Sequence, residues 1–412
     1  MIYLFIFIYL LCLSVYFDIL EMKGRRSLHF TIAITLLILV AGLRWRIGSD
    51  TVLYAQEFTQ YHDLFHMELS DFESLNRMPV WVLLNTVCKT VWNDFVLVQL
   101  VAATFSLMVS WYFIRKVCPS LQFFVLLCYY IGGRYTTLNM ELLRESIAVG
   151  FYLLAILSID EKRMKYAMLY AFLAIMSHIF AFLTIIIFII CYYLLPRNKI
   201  LRLTICICLF FVVILNKDYL IFLMQNNINV LFINEEMSSK FLNYAMSDQY
   251  GSIDKTIMNY ISLIMHFFTY IFMLYKCKKV YPKFILLKRD LFDTFIFICI
   301  LLLLGKFSFT ILYRIGINYN YYFTCLLAVI FTKGVLIEHI RKQQRVFVYL
   351  VLLIIPLSFT YKVYFEFTFD FPGHRAYSRY YPYSTIFDKT RNYQREKLHQ
   401  FRGAGYTKDS DY

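Results

Sequence analysis

An all-α, polytopic transmembrane bundle is the fold this sequence predicts, and three observations predict it. Hydrophobic residues make up 60% of the 412 positions, charged residues only 17%, and the mean hydropathy is +0.60. That balance lies outside the range of soluble domains. The apolar stretches are continuous rather than alternating in and out, which argues for helices over a closed barrel. Short basic clusters separate them, as topology signals do.

The elements follow in order. Apolar runs fall near residues 1–19, 28–43, 95–114, 119–132, 145–159, 166–177, 179–195, 203–216, 256–275, 291–312, 319–332 and 346–361. The first 19 residues lack a basic n-region and a small-residue cleavage site, so they read as a first span rather than a signal peptide. A weaker run at 79–92 carries Asn85 and Lys89 and reads as interfacial or re-entrant. Basic clusters stand at Lys23/Arg25/Arg26, Arg115/Lys116, Lys162/Arg163/Lys165, Arg197/Lys199/Arg202, 276–290 and Lys333 through Arg345. Placing all six inside requires two crossings in every interval, which the runs supply if 79–92 does not cross. The expectation is about twelve spans (roughly 11–14), with both termini outside. Residues 1–361 then form a single membrane domain, and 362–412 an extramembrane tail.

Sidedness also sorts the polar segments. The outside receives residues 44–94, the stretch around 133–144, a long loop at 217–255, the connection 313–318 and the tail. Residues 166–195 are too few for two full spans, so they read as a hairpin of short helices turning at Met176-Ser177-His178.

The net charge of +14 sits mostly in the inter-helix clusters, as a topology signal rather than a nucleic-acid stripe. The ten cysteines are scattered, mostly inside apolar runs, and outline neither a disulfide framework nor a metal site. No cofactor is expected.

Four polar groups stand at the outer ends of apolar runs: Arg44/Arg46/Asp50, Arg134 with Arg144, His178, and Arg314. Charges beside a span are costly and usually face a cavity or a partner. Each has a plain structural reading. Arg44, Arg46 and Arg314 could snorkel to headgroups, Arg144 could pair with Glu141 or Glu145, and Asp50 could pair with Arg46. Together, on one face, they describe a phosphate-handling site without metal. Arginine forks match phosphate oxygens, and a histidine exchanges protons near neutral pH.

These residues resemble a known family. "LRWRIGSDTVLY" resembles the R-[YF]-x-x-G-[TS]-D-x-x-x-Y signature of EpsG-type proteins, which belong with the Wzy-like polysaccharide polymerases. In order along the chain, "LLRESIAVGFYLLAI" resembles their LRQ-x-[IL]-A helix and "FLAIMSHIFAFL" their A-x-x-x-H-x-[ST]-A hairpin. "LYRIGINYNYYF" and "RYYPYSTIF" resemble their late R-x-x-x-x-Y and [VI]-P-Y-x-S-[IV]-F segments. Two departures stand out: Glu145 where the pattern has Gln, and Ile179-Phe180-Ala181 after His178 instead of a small hydroxyl residue.

The resemblance implies a glycosyltransferase-type enzyme that joins oligosaccharide repeat units carried on undecaprenyl diphosphate. Its product would be O-antigen, capsule or exopolysaccharide, made at the outer face of the bacterial inner (plasma) membrane. By the same resemblance Arg44, Arg144 and Arg314 would hold the diphosphate, and His178 would be the general base. Arg46, Asp50, Tyr54, Arg134, Tyr319 and Tyr322 would contact substrate. Membrane lipids, a chain-length regulator and a flippase are the implied partners. A flippase for the same lipid-linked oligosaccharide and a polysaccharide ligase are the alternative readings.

Overall fold

The computed structural model describes residues 1–68, 70–74, 77–215, 285–305, 369–371 and 374–401, with isolated positions between 264 and 329. The fold is all-α, apart from a two-stranded ribbon in the tail, β1 (Phe369–Phe371) and β2 (His374–Arg375). The chain divides into two compact units. One comprises Met1–His178 with Phe331–Tyr412, and the other Ile179–Ile330.

The first unit begins with α1 (Ile2–Leu13), continued by a π turn to Ile19, and α2 (Arg26–Gly42). A buried carboxylate fastens the basic turn between them. Asp18 pairs with Arg26 and accepts the Phe124 N–H at 2.7 Å, while Arg26 also donates to the Ser120 carbonyl at 2.7 Å. A buried charge needs such partners, because desolvation otherwise costs several kcal/mol. At the opposite end of this hairpin the Tyr3 hydroxyl donates to the Tyr380 carbonyl and the Tyr383 hydroxyl to the Val40 carbonyl. The start of α1, the end of α2 and the tail therefore share one end of the unit.

Helices α3 (Thr51–Gln60), α4 (Ser70–Ser74) and α5 (Pro79–Val91) follow. Proline opens α5, where its missing N–H costs nothing. Helix α6 (Phe95–Val117) starts on an Asp94 cap, whose side chain accepts the Val96 N–H at 2.9 Å. The weak run at 79–92 is thus helical, over Pro79–Val91. Gly42, the last residue of α2, packs directly on Leu100 near the start of α6. A Cβ there would stand 2.6 Å from Leu100 Cδ1 and 3.0 Å from its Cα. Residues 43–94 leave and re-enter the bundle at the same end. At 13 residues, α5 is about 20 Å long, short of a bilayer core.

Next come α7 (Gln122–Ile131), the single turn α8 (Arg134–Thr136) running into a π turn to Glu141, and α9 (Leu143–Asp160). The Arg134–Glu141 stretch bends by 112° against α9. Sequence reading placed an apolar run from 145; the helix begins two residues earlier and carries Arg144 in its first turn. Helix α10 (Met164–Ser177) returns antiparallel along α9 after a short turn. Among the described residues, Ile2–Ile19 and Phe95–Val117 are each long and apolar enough to cross a membrane. The bent pair passes the same test as one span.

The second unit holds α11 (Phe180–Ile189, with a π turn to Leu194), α12 (Lys199–Leu215) and α13 (Arg289–Gly305). The helix break expected at Met176-Ser177-His178 falls between Ser177, the last residue of α10, and Phe180, the first of α11. Lys199 pairs with Asp293 at 2.9 Å, and Phe188 stacks on Phe295. The long loop expected at 217–255 and most of the late apolar runs lie outside the described residues. The tail ends in α14 (Tyr393–Phe401).

Candidate functional site

The stretch Leu43–Asp50 is a strap between two elements, and every turn of it is held. The Arg44 side chain is fully buried. Its Nε donates to the Ile47 carbonyl at 3.1 Å, one Nη to Met140 at 3.0 Å, and the other Nη to Ala41. A guanidinium has five donors and no acceptor, so backbone carbonyls satisfy it well. Gly48 sits at φ +97°, and a Cβ there would fall on the Met140 carbonyl. Only glycine adopts that backbone beside that neighbour without strain. The Ser49 N–H donates to Glu141 at 3.4 Å.

The other side of the strap is the tail. Trp45 N–H donates to the Ser384 carbonyl at 2.9 Å, Ile386 N–H to Leu43 at 3.1 Å, and Gly48 N–H to Arg379 at 3.1 Å. Ser384 Oγ returns a bond to the Trp45 carbonyl at 2.9 Å. Arg46 grips Glu396 bidentately, at 2.8 and 2.5 Å, with both residues buried. The carboxylate that takes the Arg46 fork thus comes from some 350 residues away.

Arg46 also has φ +53°, a left-handed backbone that costs a non-glycine residue roughly 1 kcal/mol or more. His399 Nε2 donates to its carbonyl at 3.2 Å. Burial, with Arg46 beside it, pushes the His399 pKa down to about 4, so the ring is neutral and carries its proton on Nε2. Arg395 bonds the carbonyls of Ser378 and Pro382, and burial lowers its pKa to about 10.

The strap delivers Asp50 to the start of α3, and α3 delivers Tyr54. There Arg144 lies over the Tyr54 ring, 5.3 Å from its centre, with Nε 3.4 Å from the phenol oxygen. Asp50 and Glu57 are near enough to act on Arg144 electrostatically. Glu57 is itself gripped by Arg77, whose Nε donates at 3.1 Å. Tyr61 and Trp81 complete the floor, with the Trp81 and Tyr54 ring centres 5.3 Å apart. Burial raises the Tyr54 phenol above its ordinary value, and the neighbouring guanidinium opposes the shift. The phenol is therefore a neutral donor at physiological pH. Arg144 is half-buried, so part of its fork stays available beyond the ring.

Around this centre the other expected residues are distributed as follows. Arg134 opens α8 half-buried, and none of its side-chain donors is taken by a described residue. His178 caps α10 in extended backbone, half-buried, with its N–H on the Ala174 carbonyl at 3.1 Å. Because α9 and α10 are an antiparallel hairpin, His178 comes to the end of the unit where Arg144 starts α9. Tyr319 lies in the second unit, buried, with its hydroxyl on the Thr184 carbonyl at 2.7 Å. Arg314 and Tyr322 lie outside the described residues.

Glu57, Arg77, Tyr61 and Trp81 were not singled out from the sequence, nor were Glu396 and His399. The interleaved Glu57 and Arg77 were the legible signal, since isolated charges beside apolar runs demand partners. A separate cavity of about 420 Å³ in the second unit is lined by Arg197, Lys199, Arg202, Asp290 and Asp293. Its charges pair with each other, and none of the expected residues is there. Among the described residues, no group of three His, Cys, Asp or Glu side chains is placed to share a metal ion.

A helical bundle whose helices include ones long and apolar enough to cross a bilayer, with a cation–aromatic contact at one end of its first unit, defines a polytopic-type membrane protein. The particular family is shown by the chain itself. The EpsG family model matches residues 27–385, and the protein belongs to that family. Membership points to a polysaccharide-polymerase type of enzyme. Neither the curated proteins nor the solved structures hold a match to this chain.

Proposed function

We propose that the protein joins lipid-diphosphate-linked oligosaccharide repeat units into a surface polysaccharide at the outer membrane face. The observation that carries this reading is Arg144, poised over Tyr54 with its fork only partly used, in a chain of the EpsG family. The acceptor hydroxyl attacks the anomeric carbon of the donor sugar. The bond from that carbon to the diphosphate oxygen breaks, and the lipid diphosphate leaves with the electron pair. Negative charge grows on the departing oxygen. Arg144, with Arg134, would meet it, favouring the transition state over the ground state.

His178 would receive the acceptor hydroxyl proton late in the step, as the new bond forms. Asp50 and Glu57 would keep the Arg144 fork aimed and would contact sugar hydroxyls. Tyr54 restricts the arginine to one orientation, which lowers the entropy lost on binding. Arg44 and Arg46 act in this reading by holding the strap.

Glycan length tests the proposal. Lipid-linked glycan from cells lacking the protein, then restored with wild type, Arg144→Ala or His178→Ala, is resolved on a gel. Single repeat units on the outer leaflet in the knockout and both variants support polymerisation. Accumulation on the cytoplasmic leaflet would mean that the protein moves the intermediate instead.

A further inference from the structure

The tail beyond residue 385 lies outside the segment matched by the family, yet its α14 carries the partner of a residue in the first motif. We infer that Glu396 is a positioning residue: through Arg46 it holds the strap 44–50, and through the strap it sets Asp50 and Tyr54 beneath Arg144. This inference rests on the polymerase reading above.

The chain of contacts is continuous. Glu396 takes both arms of the Arg46 fork, and His399 from the same helix takes the Arg46 carbonyl. Those contacts fix a residue in left-handed backbone, which persists only where its surroundings over-determine it. From Arg46 the strap reaches Asp50 in four residues, and Asp50 accepts from Ser49 Oγ as it starts α3. Tyr54 stands one helical turn on, its N–H on the Asp50 carbonyl at 3.0 Å. Arg144 is on a different element, α9, so its register against Tyr54 depends on where the strap sets α3. The Met140 carbonyl, just before α9, receives Arg44 and abuts Gly48, which ties the strap to that second element as well.

Both members of the pair are buried, so removing the charge of one leaves the other desolvated and uncompensated, which costs far more than breaking an exposed pair. A displaced strap would tilt Tyr54 and release the guanidinium to other rotamers. Misplacement of a positioning group by about 1 Å costs roughly 10²-fold in rate in the worst case.

The test uses the full chain, purified, with repeat units extracted from cells that lack it as substrate. Rates are expressed per folded protein. Glu396→Gln should lower kcat about tenfold or more with KM within about twofold, because alignment in the transition state is lost rather than substrate binding. Ser384→Ala, which removes one tail–strap bond, should lower it less. The exchanged pair Arg46→Glu/Glu396→Arg should recover most of the loss. Amide exchange at residues 44–54 should rise in Glu396→Gln, a readout independent of catalysis. Wild-type kcat in Glu396→Gln, unchanged exchange in the strap, or an exchanged pair no better than the single variant would each overturn the inference. An active wild type with an inactive Arg144→Ala beside an unaffected Glu396→Gln sinks the positioning role alone. A wild type that extends no chains sinks the polymerase reading, and the inference with it.

Discussion

The Arg144 guanidinium stands 5.3 Å from the centre of the Tyr54 ring, and its Nε lies 3.4 Å from the same residue's hydroxyl. One residue comes from the first turn of a membrane helix and the other from an interfacial helix some 90 positions earlier. The contact combines a cation–π attraction with a hydrogen bond.

Arg144→Lys keeps the charge but loses both the planar fork and the stacking. Removing one preorganised donor to a developing oxyanion costs about 10²–10³ in rate, and a lysine should fall in that range. Tyr54→Phe retains the ring and removes only the hydroxyl, so a loss within about tenfold is expected. Glycan ladders from complemented cells would separate the two. Equal losses would assign the effect to packing instead.

Arg46→Ala strands the Glu396 carboxylate in a buried site. Breaking one partner of such a pair typically costs about 3–5 kcal/mol, seen as a lowered melting temperature in detergent. An apolar pair of similar volume, Arg46→Met with Glu396→Leu, should recover much of that stability. It should not recover full activity, because the two-pronged register is gone.

Gly48→Ala forces a methyl group onto the Met140 carbonyl in a backbone that L residues avoid. A loss of about 2–4 kcal/mol follows from strain plus displacement. Reduced folded protein in the membrane fraction would report it. Gly42→Ala probes a different contact, with the softer Leu100 side chain, and should be tolerated better.

The tail should loosen in acid. His399 has its folded pKa pushed down to about 4, below its ordinary 6.5. Its stabilising contribution is whole above about pH 6.5, and it is lost as pH falls towards 4, because only the released ring takes the proton there. The full window is worth on the order of 3 kcal/mol. The protection factors of amides 393–401, with the intrinsic pH dependence of exchange divided out, should therefore fall between pH 7 and pH 5, and His399→Gln should flatten that dependence.

Helix positions were legible because they follow from local pattern. Continuous apolar runs punctuated by Arg and Lys yield α2, α6, α9 and α10 within a few residues, and the break at Ser177-His178 follows from a segment too short for two spans. The sequence expects α5 not to cross, so that every basic cluster shares a side; the structure adds that α5 is a helix of 13 residues and that Gly42 packs on Leu100. The tail's role was not legible. Asp50 was the nearest candidate for Arg46 in the sequence, but the structure joins Arg46 to Glu396. Nothing local in "YQREKLHQF" distinguishes a docked helix from a solvated one.

By itself the sequence determined an all-α membrane chain and its basic turns, and it set the expectation that arginines, an aspartate and a histidine gather at one end, since solvation by lipid leaves few places for charge. Only tertiary structure decided which of those charges serve each other. Arg44 is consumed by carbonyls of Ala41, Ile47 and Met140, Arg46 by Glu396, and Arg144 remains with an aromatic ring and a partly used fork. The physical reason is that a guanidinium's partner is set by three-dimensional proximity across the folded chain, whereas the cost of burying it is already written in its neighbours along the sequence.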